Sequence, residues 1–299
     1  MFWGKRVIDS TAWRRNLNHP ELKLHFHYQN LGNTSVYGHA LALFPSYTFY
    51  FRNLPLQLTF GSGLSYVTAR FSEGENPSNR AIGSHINNIT QLRLGWVFRL
   101  RKWSLTPHIG LTHYSNLSTI EPNLGLNHIG IGITLLRLKN SKIDSQSSGR
   151  SPKNTWYRQI RYSFGLYDSD RELADDNHTY SPVHSLGIII GKRYRAYGRV
   201  YGQLKYTRNS GERDFHGPSG LHNVTILMGN ELTLGSFSIF GGLGTYLYER
   251  YDPVEPVFLE GGAMLYFIEK DGYRTYISSN IKSHLGVAEY GEISIGIEW

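Results

Sequence analysis

The segment LTPHIGLTHYSNLSTIEPNLGLNHIGIGITLLRL, residues 105–138, contains two stretches in which apolar residues alternate with polar or small ones. Side chains alternate between the two faces of a β-strand, so this period predicts two strands that each have one apolar face. His113 and Ser115 continue the apolar row of the first strand and therefore share a face. In a soluble protein that face would form the core, whereas in a transmembrane barrel it would face lipid.

Strand-like stretches bounded by turn residues recur along the whole chain of 299 residues. Many of them are longer than the strands of soluble proteins, and tilted strands of about 9–11 residues cross a bilayer. The pattern predicts an all-β fold, a closed antiparallel transmembrane β-barrel of about fourteen strands, with a range of about 12–16. The predicted strands cover residues 22–30, 36–52, 55–69, 86–101, 103–115, 127–138, 156–167, 182–193, 195–207, 221–234, 236–249, 257–269, 272–283 and 288–298.

One polar, serine-rich segment, residues 139–154, interrupts the strand pattern. Such composition is typical of a flexible loop, and it would also suit a linker between two β domains. Because the strands before and after it are alike, we expect a single barrel domain over residues 1–299 with this segment as a loop.

The composition excludes several classes of protein. The chain has no cysteine, which excludes disulfides and cysteine-based zinc sites. Its thirteen histidines do not form a metal-binding spacing, so no metal site is predicted. The net charge of +8 would suit anionic lipid or nucleic acid, but no nucleic-acid-binding motif accompanies it, so we expect no nucleic-acid partner. No apolar run reaches the roughly 18 residues of a membrane-spanning helix.

The two ends of the sequence are informative in different ways. The first residues, MFWGKRVIDSTAWRRN, lack the apolar stretch of about 7–15 residues found in a secretory signal. We therefore expect a mature or truncated form of an exported protein. The last residues, GEISIGIEW, alternate Ile293, Ile295 and Ile297 and end on Trp299. This ending resembles the C-terminal aromatic signal of bacterial outer-membrane barrels.

The tetrapeptide HYSN at 113–116, followed by Glu121-Pro122-Asn123, Gly125 and Asn127, resembles the HxSN…PNxG pattern of PagL-type lipid A 3-O-deacylases. The upstream segments GSGLSY at 61–66 and AIGSH at 81–85 resemble longer relatives of the acyloxyacyl-hydrolase-like kind. The resemblance is tightest over residues 61–138. It implies an outer-membrane barrel whose site opens sideways toward lipid near the extracellular side.

The resemblance implies that Ser115 is a nucleophile and His113 its general base, since a serine needs a base to take its proton. In the short deacylases the residue that orients the histidine is a Glu fourteen positions later, and here Asn127 occupies that position. An Asn can orient a histidine but cannot stabilise the imidazolium with a charge. Glu121 is the alternative acid. Asn116 and Asn123 match family positions that would support the oxyanion, although Asn also commonly satisfies turn backbone.

The resemblance therefore implies a serine ester hydrolase that removes acyl chains from lipid A or a related lipid in the bacterial outer membrane, without a cofactor. Its partner would be the membrane lipid itself, lipopolysaccharide, and the oligomeric state stays open. The alternative is a non-enzymatic barrel, a channel or a lipid-binding scaffold, that has lost the acidic member of the triad. A soluble all-β binding domain is the third interpretation.

Overall fold

The computed structural model describes residues 2–6, 12–117, 120, 122–137, 155–168, 180–209, 221–249, 256–284 and 287–299. Within them the chain is all-β, with one short helix, α1 Ala12–Asn16. In this described part of the chain, no helix is long and apolar enough to span a membrane. The chain divides into two compact units, one with the N-terminal strands and one with the C-terminal strands.

The N-terminal unit is an open antiparallel sheet. β1 pairs with β2, each strand through β5 then pairs with the next one along the chain, and β7 pairs with both β5 and β8. The short β6 also pairs with β7 and continues β5 after an interruption at Val97. The strands are β1 Phe2–Arg6, β2 Glu21–Asn30, β3 His39–Tyr50, β4 Leu56–Val67, β5 Ile86–Trp96, β6 Phe98–Leu100, β7 Trp103–Ser115 and β8 Leu126–Arg137.

The C-terminal unit is a closed barrel of eight antiparallel strands. Closure occurs at β9, which pairs with β10 through Ile160↔Ile188 and with β16 through Phe164↔Ile293. The strands are β9 Trp156–Asp168, β10 Tyr180–Arg193, β11 Gly198–Asn209, β12 Leu221–Leu234, β13 Phe237–Glu249, β14 Val257–Lys270, β15 Tyr273–His284 and β16 Val287–Glu298.

The closed barrel is apolar outside, whereas its interior contains charged and polar side chains together with a buried cluster that includes Phe240 and Phe258. On β16 the outward Ile293 and Ile295 are 72% and 55% exposed, whereas Glu292, Ser294 and Glu298 are buried. This distribution is the reverse of that in a soluble protein and is the one that a lipid-facing barrel requires. It favours the membrane interpretation of the alternation over a soluble β domain.

Ion pairs and large aromatic side chains occupy the barrel interior. Arg199 binds Glu298 at 2.7 Å, and Lys205 binds Glu292 at 2.7 Å and Glu260 at 3.0 Å. Eight strands enclose an interior just wide enough for side chains to fill. A filled interior argues against a water-filled channel through this barrel.

Each of the fourteen predicted strand segments overlaps an observed strand, and 103–115 and 221–234 agree at both ends. The sequence did not predict β1 or α1, and the segment 86–101 is divided at Val97. The barrel size of about fourteen strands is not confirmed: the closed barrel has eight strands, because β9 uses both of its edges within the C-terminal unit. The single domain over residues 1–299 stays a prediction, and the loop 139–154 lies outside the described residues.

Candidate functional site

His113 and Ser115 lie at the end of β7, on the apolar face of the N-terminal sheet. That face carries Leu111, which is exposed, then the half-buried His113 and the buried Ser115. The antiparallel register places His113 opposite Asn127 on β8 and Ser115 opposite Asn88 on β5. The strand pattern and the pairing of neighbouring strands thus bring the candidate nucleophile, base and orienting residue to one edge of the apolar face.

A hydrogen bond joins the imidazole of His113 to the side chain of Asn127. The Nδ1 atom of His113 lies 2.9 Å from Oδ1 of Asn127. An amide oxygen only accepts, so Nδ1 carries the proton and donates it to this bond. The other ring nitrogen, Nε2, is then the basic one in the neutral imidazole. This tautomer is the one that a general base needs.

His113 and Ser115 share a face but, among the described side-chain contacts, no hydrogen bond joins them. Hydrogen bonds of catalytic groups are often long without substrate and shorten when substrate is bound. The arrangement therefore provides an oriented base beside a hydroxyl, which is the minimum requirement for nucleophilic attack on an ester.

Gly125 packs against the ring of His113. Its φ is +73°, and a Cβ atom at this position would lie 2.7 Å from Cε1 of His113 and 3.3 Å from the backbone oxygen of Tyr114. A side chain here would both strain the backbone and displace the imidazole. Gly125 belongs to the family-like motif, but it was assigned no role from the sequence. The signal that could have indicated one is the glycine itself, two residues after Pro122-Asn123.

A loop before β5 supports the turn that contains Gly125. The fully buried Asn79 donates to the backbone oxygens of Val36 and Ala69, at 3.0 and 3.2 Å, and accepts from the N–H of Ile82. The neighbouring Ala81 oxygen accepts from the N–H of Gly125 at 3.1 Å. The family-like block 81–85, with Asn79 just before it, thus holds the turn against His113.

Ser84 and His85, in the same block, bond to the backbone. The Ser84 hydroxyl donates to the oxygen of Ile86 at 2.7 Å, and Nδ1 of His85 donates to the oxygen of Val67 at 2.8 Å. These contacts stabilise the junction between the loop and β5. They agree with a structural role for this dipeptide.

Asn123 contacts the residue that follows the candidate nucleophile. Its Oδ1 accepts a hydrogen bond from the N–H of Asn116 at 3.0 Å. The carbonyl end of Asn123 therefore stabilises the turn, and any oxyanion contact must come from its amide nitrogen. The oxyanion role of Asn116 and Asn123 stays a prediction, and Glu121 lies outside the described residues. Over the described part of the chain no group of three or more His, Asp or Glu side chains is placed to hold a metal.

We predict that Gly125→Ala lowers the rate of a reaction in which His113 acts as the base by about 10²-fold, since a displacement of about 1 Å in a catalytic group has an effect of that size. The added methyl group would push the imidazole away from Asn127. Gly130→Ala on β8 is the matched control, because a Cβ there meets nothing within 4 Å. The rates of both folded variants would be measured on the same substrate, and an unchanged rate for Gly125→Ala would contradict the packing argument.

Comparison with known proteins identifies one family. Residues 3–135 match the model of the lipid A 3-O-deacylase (PagL) family, which covers less than half of the chain. This match confirms the resemblance found in the sequence for the N-terminal segment. No curated protein matches the chain.

Three solved structures are similar to this chain only at a low level. The Pseudomonas putida toluene transporter TodX is 8% identical with a TM-score of 0.20, over 93% of this chain and 84% of that one. OprB of Pseudomonas putida is 6% identical, also with a TM-score of 0.20, over 100% of this chain and 71% of that one. The FrpB iron transporter of Neisseria meningitidis is 7% identical with a TM-score of 0.20, over 94% of this chain and 55% of that one. Similarity at this level carries no argument about function.

Proposed function

We propose, from the match of residues 3–135 to the lipid A 3-O-deacylase family, that the protein is an ester hydrolase of the bacterial outer membrane. It removes an ester-linked acyl chain from lipid A or a related lipid. The observation that carries the proposal is the 2.9 Å bond between His113 and Asn127, with Ser115 on the same face where the apolar surface ends.

The proposed mechanism has two steps. Oγ of Ser115 attacks the ester carbonyl while Nε2 of His113 takes its proton, and Oδ1 of Asn127 holds Nδ1–H in place. Collapse of the tetrahedral intermediate releases the lipid alcohol, which receives the proton from His113, and leaves an acyl-enzyme. Water then attacks the acyl-enzyme with His113 again as the base, and the fatty acid leaves. The side-chain amide N–H groups of Asn116 and Asn123 are the proposed oxyanion donors. This scheme requires no cofactor.

The apolar face supports a lipid substrate. From His113 toward the end of the sheet that contains the turn at residues 101–102, the face consists of large apolar side chains. Several of them are strongly exposed, such as Ile129 at 78% and Ile131 at 91%. Exposed apolar surface of this extent on a strand is stable against acyl chains rather than water. A site at the border of this surface can receive an ester whose acyl chain stays in the lipid.

Asn127 in place of the family's Glu predicts a slow enzyme that can be improved. We expect Asn127→Glu to raise the hydrolysis rate by roughly tenfold, because a hydrogen bond from a developing imidazolium to a charged acceptor is about 1.5 kcal/mol stronger than one to a neutral acceptor. Asn127→Gln is the matched control, since Gln has the same length as Glu without the charge. Equal rates for the Glu and Gln variants would contradict the electrostatic argument.

The proposal is tested by fatty-acid release. The protein, folded in detergent, is incubated with lipopolysaccharide, and the lipid products are identified by mass spectrometry. Loss of one ester-linked chain supports the hydrolase. Absence of any loss from several acylated lipids, with well-folded protein, overturns it.

A non-enzymatic lipid-binding barrel is the second candidate, and Asn127 is the observation that favours it, because the site lacks a described acidic partner for His113. Such a protein would bind lipopolysaccharide without release of fatty acid. Lipid binding measured beside the release assay separates the two candidates.

A further inference from the structure

The residues opposite His113 on neighbouring strands form one continuous row across the sheet. The register pairs Ser62 with Thr90, Thr90 with His113, and His113 with Asn127. Residues that face each other in a sheet lie on the same side of it. We call this set the polar row: it crosses β4, β5, β7 and β8 at one height, and its members are Ser62, Thr90, His113 and Asn127.

The next row, toward the turn at residues 101–102, is entirely apolar. The register pairs Phe60 with Leu92, Leu92 with Leu111, and Leu111 with Ile129. The row after that is also apolar and consists of Leu58, Leu94, Ile109 and Ile131. The apolar surface therefore ends at a sharp line. The polar row continues onto β5 and β4, beyond the proposed catalytic residues on β7 and β8. The proposed catalysis does not explain why these two strands are polar at this height.

Ser62, Asn88 and Thr90 bond to one another in a closed ring. The Thr90 hydroxyl donates to Oδ1 of Asn88 at 2.8 Å, and Nδ2 of Asn88 donates to Oγ of Ser62 at 3.0 Å. Oγ of Ser62 lies 3.1 Å from Oγ1 of Thr90 and completes the ring. The second N–H of the Asn88 amide donates to the backbone oxygen of Gly63 at 3.1 Å. Asn88 is also the register partner of Ser115.

This ring determines which ligand chemistry fits beside Ser115. Each of its hydroxyl and amide donors is used within the ring or on Gly63, whereas its oxygens keep acceptor lone pairs. The ring has no charge. It therefore suits O–H and N–H donors of a neutral polar group, and it offers nothing to a phosphate diester, which has only acceptors.

We propose that Ser62, Asn88 and Thr90 form a subsite that binds hydroxyl or amide donors of the sugar in an acylated glycolipid. The acyl chain then lies on the apolar rows, and the ester lies over Ser115. The inference rests on the proposed function and adds a specificity-determining site to it. A donor on the lipid could belong to the sugar or to a hydroxylated acyl chain. The sugar fits better, because Asn88 lies beyond the polar row, on the side away from the apolar rows that would hold the chain.

The test measures binding to the Ser115→Ala variant, so that hydrolysis does not interfere. The probes are a glucosamine lipid with two ester-linked tetradecanoyl chains and a phosphatidylcholine with the same chains, which has no O–H or N–H donor. Dissociation constants would be measured by thermophoresis in detergent micelles. We expect Ser115→Ala to prefer the glucosamine lipid by about two- to tenfold, the usual net effect of one hydrogen bond. Adding Thr90→Val should remove this preference.

Thr134→Val, also added to Ser115→Ala, is the matched control. Thr134 lies on β8 between Ile133 and Leu135, so its side chain is on the opposite face from the apolar rows. Its register partner there is Thr106. The same change of side chain on the wrong face should retain the preference for the glucosamine lipid.

A third probe, a glucosamine lipid with 3-hydroxytetradecanoyl chains, separates the two sources of the donor. We expect it to bind no more weakly than the unhydroxylated glucosamine lipid, because the sugar donors are the same in both. A preference over phosphatidylcholine that appears only with the hydroxylated chains would overturn the assignment to the sugar.

The remaining outcomes distinguish this inference from the proposed function. A Ser115→Ala protein without preference, or a preference that survives Thr90→Val, overturns the subsite even if the wild type releases fatty acid. A preference that Thr90→Val removes supports the subsite, and if the wild type then releases no fatty acid from the same lipid, only the hydrolase proposal fails. Folding of the Thr90→Val variant would be checked by the difference in electrophoretic mobility between heated and unheated protein, because an unfolded protein would also show no preference.

Discussion

Ser115→Ala and His113→Ala are each expected to lower fatty-acid release by at least about 10³-fold, which is the scale on which loss of a nucleophile or its base acts in serine hydrolases. Ser115 is the hydroxyl that follows His113 on the apolar face, at the border where an ester would lie. Without Oγ no acyl-enzyme can form. Without the imidazole the hydroxyl keeps its proton and remains a weak nucleophile.

Two variants of β7 provide matched controls for this prediction. Ser104 is buried on the opposite side of the same strand, and His108 also lies on that side, where its ring packs against Gly132. Ser104→Ala and His108→Gln should retain most of the activity. Folding of all four variants would be checked by the difference in electrophoretic mobility between heated and unheated protein. Activity of folded Ser115→Ala at the wild-type level would exclude Ser115 as the nucleophile.

Arg199→Leu is expected to destabilise the closed barrel by about 3–5 kcal/mol, the usual cost of removing one partner from a buried ion pair. Arg199 is 1% exposed and binds Glu298 through both terminal nitrogens, at 2.7 and 3.1 Å. It also contacts Glu231 at 3.5 Å, and its guanidinium lies 4.5 Å from the ring centre of Tyr157. The substitution leaves two carboxylates inside the barrel with less positive charge to balance them.

The effect on stability would be measured as the shift in the urea midpoint of the protein in detergent, followed by tryptophan fluorescence and circular dichroism. Arg195→Leu is the control, because Arg195 is exposed in the turn between β10 and β11 and donates only to Tyr197 among the side-chain contacts described there. A midpoint for Arg199→Leu equal to that of Arg195→Leu would show that the buried cluster contributes little to stability.

Much of the fold follows from local sequence pattern. The alternation of apolar and polar residues located all fourteen predicted strands, because side-chain direction in a strand depends only on position along it. The same rule placed His113 and Ser115 on one face. The resemblance to the PagL-type deacylases singled out Asn127, and the antiparallel register between β7 and β8 brings it opposite His113.

Strand pairing at long range could not be read in the same way. A strand's period is the same whether its edges pair with near or distant strands, so the pattern that predicted about fourteen strands did not show that β9 pairs with β16 and closes a barrel of eight. β1 was missed because five residues are too few to show a period. The backbone hydrogen bonds between distant segments decide closure.

The sequence by itself determined the strands, the apolar face and the residue types that carry the proposed chemistry. Only the tertiary structure decided which strand edges pair, that Gly125 leaves room for the imidazole, and that Ser62, Asn88 and Thr90 close a ring beside Ser115. The physical reason is range: strand period and turn propensity act over a few residues, whereas these contacts join atoms far apart in the chain, and their distances depend on the packing of the whole sheet.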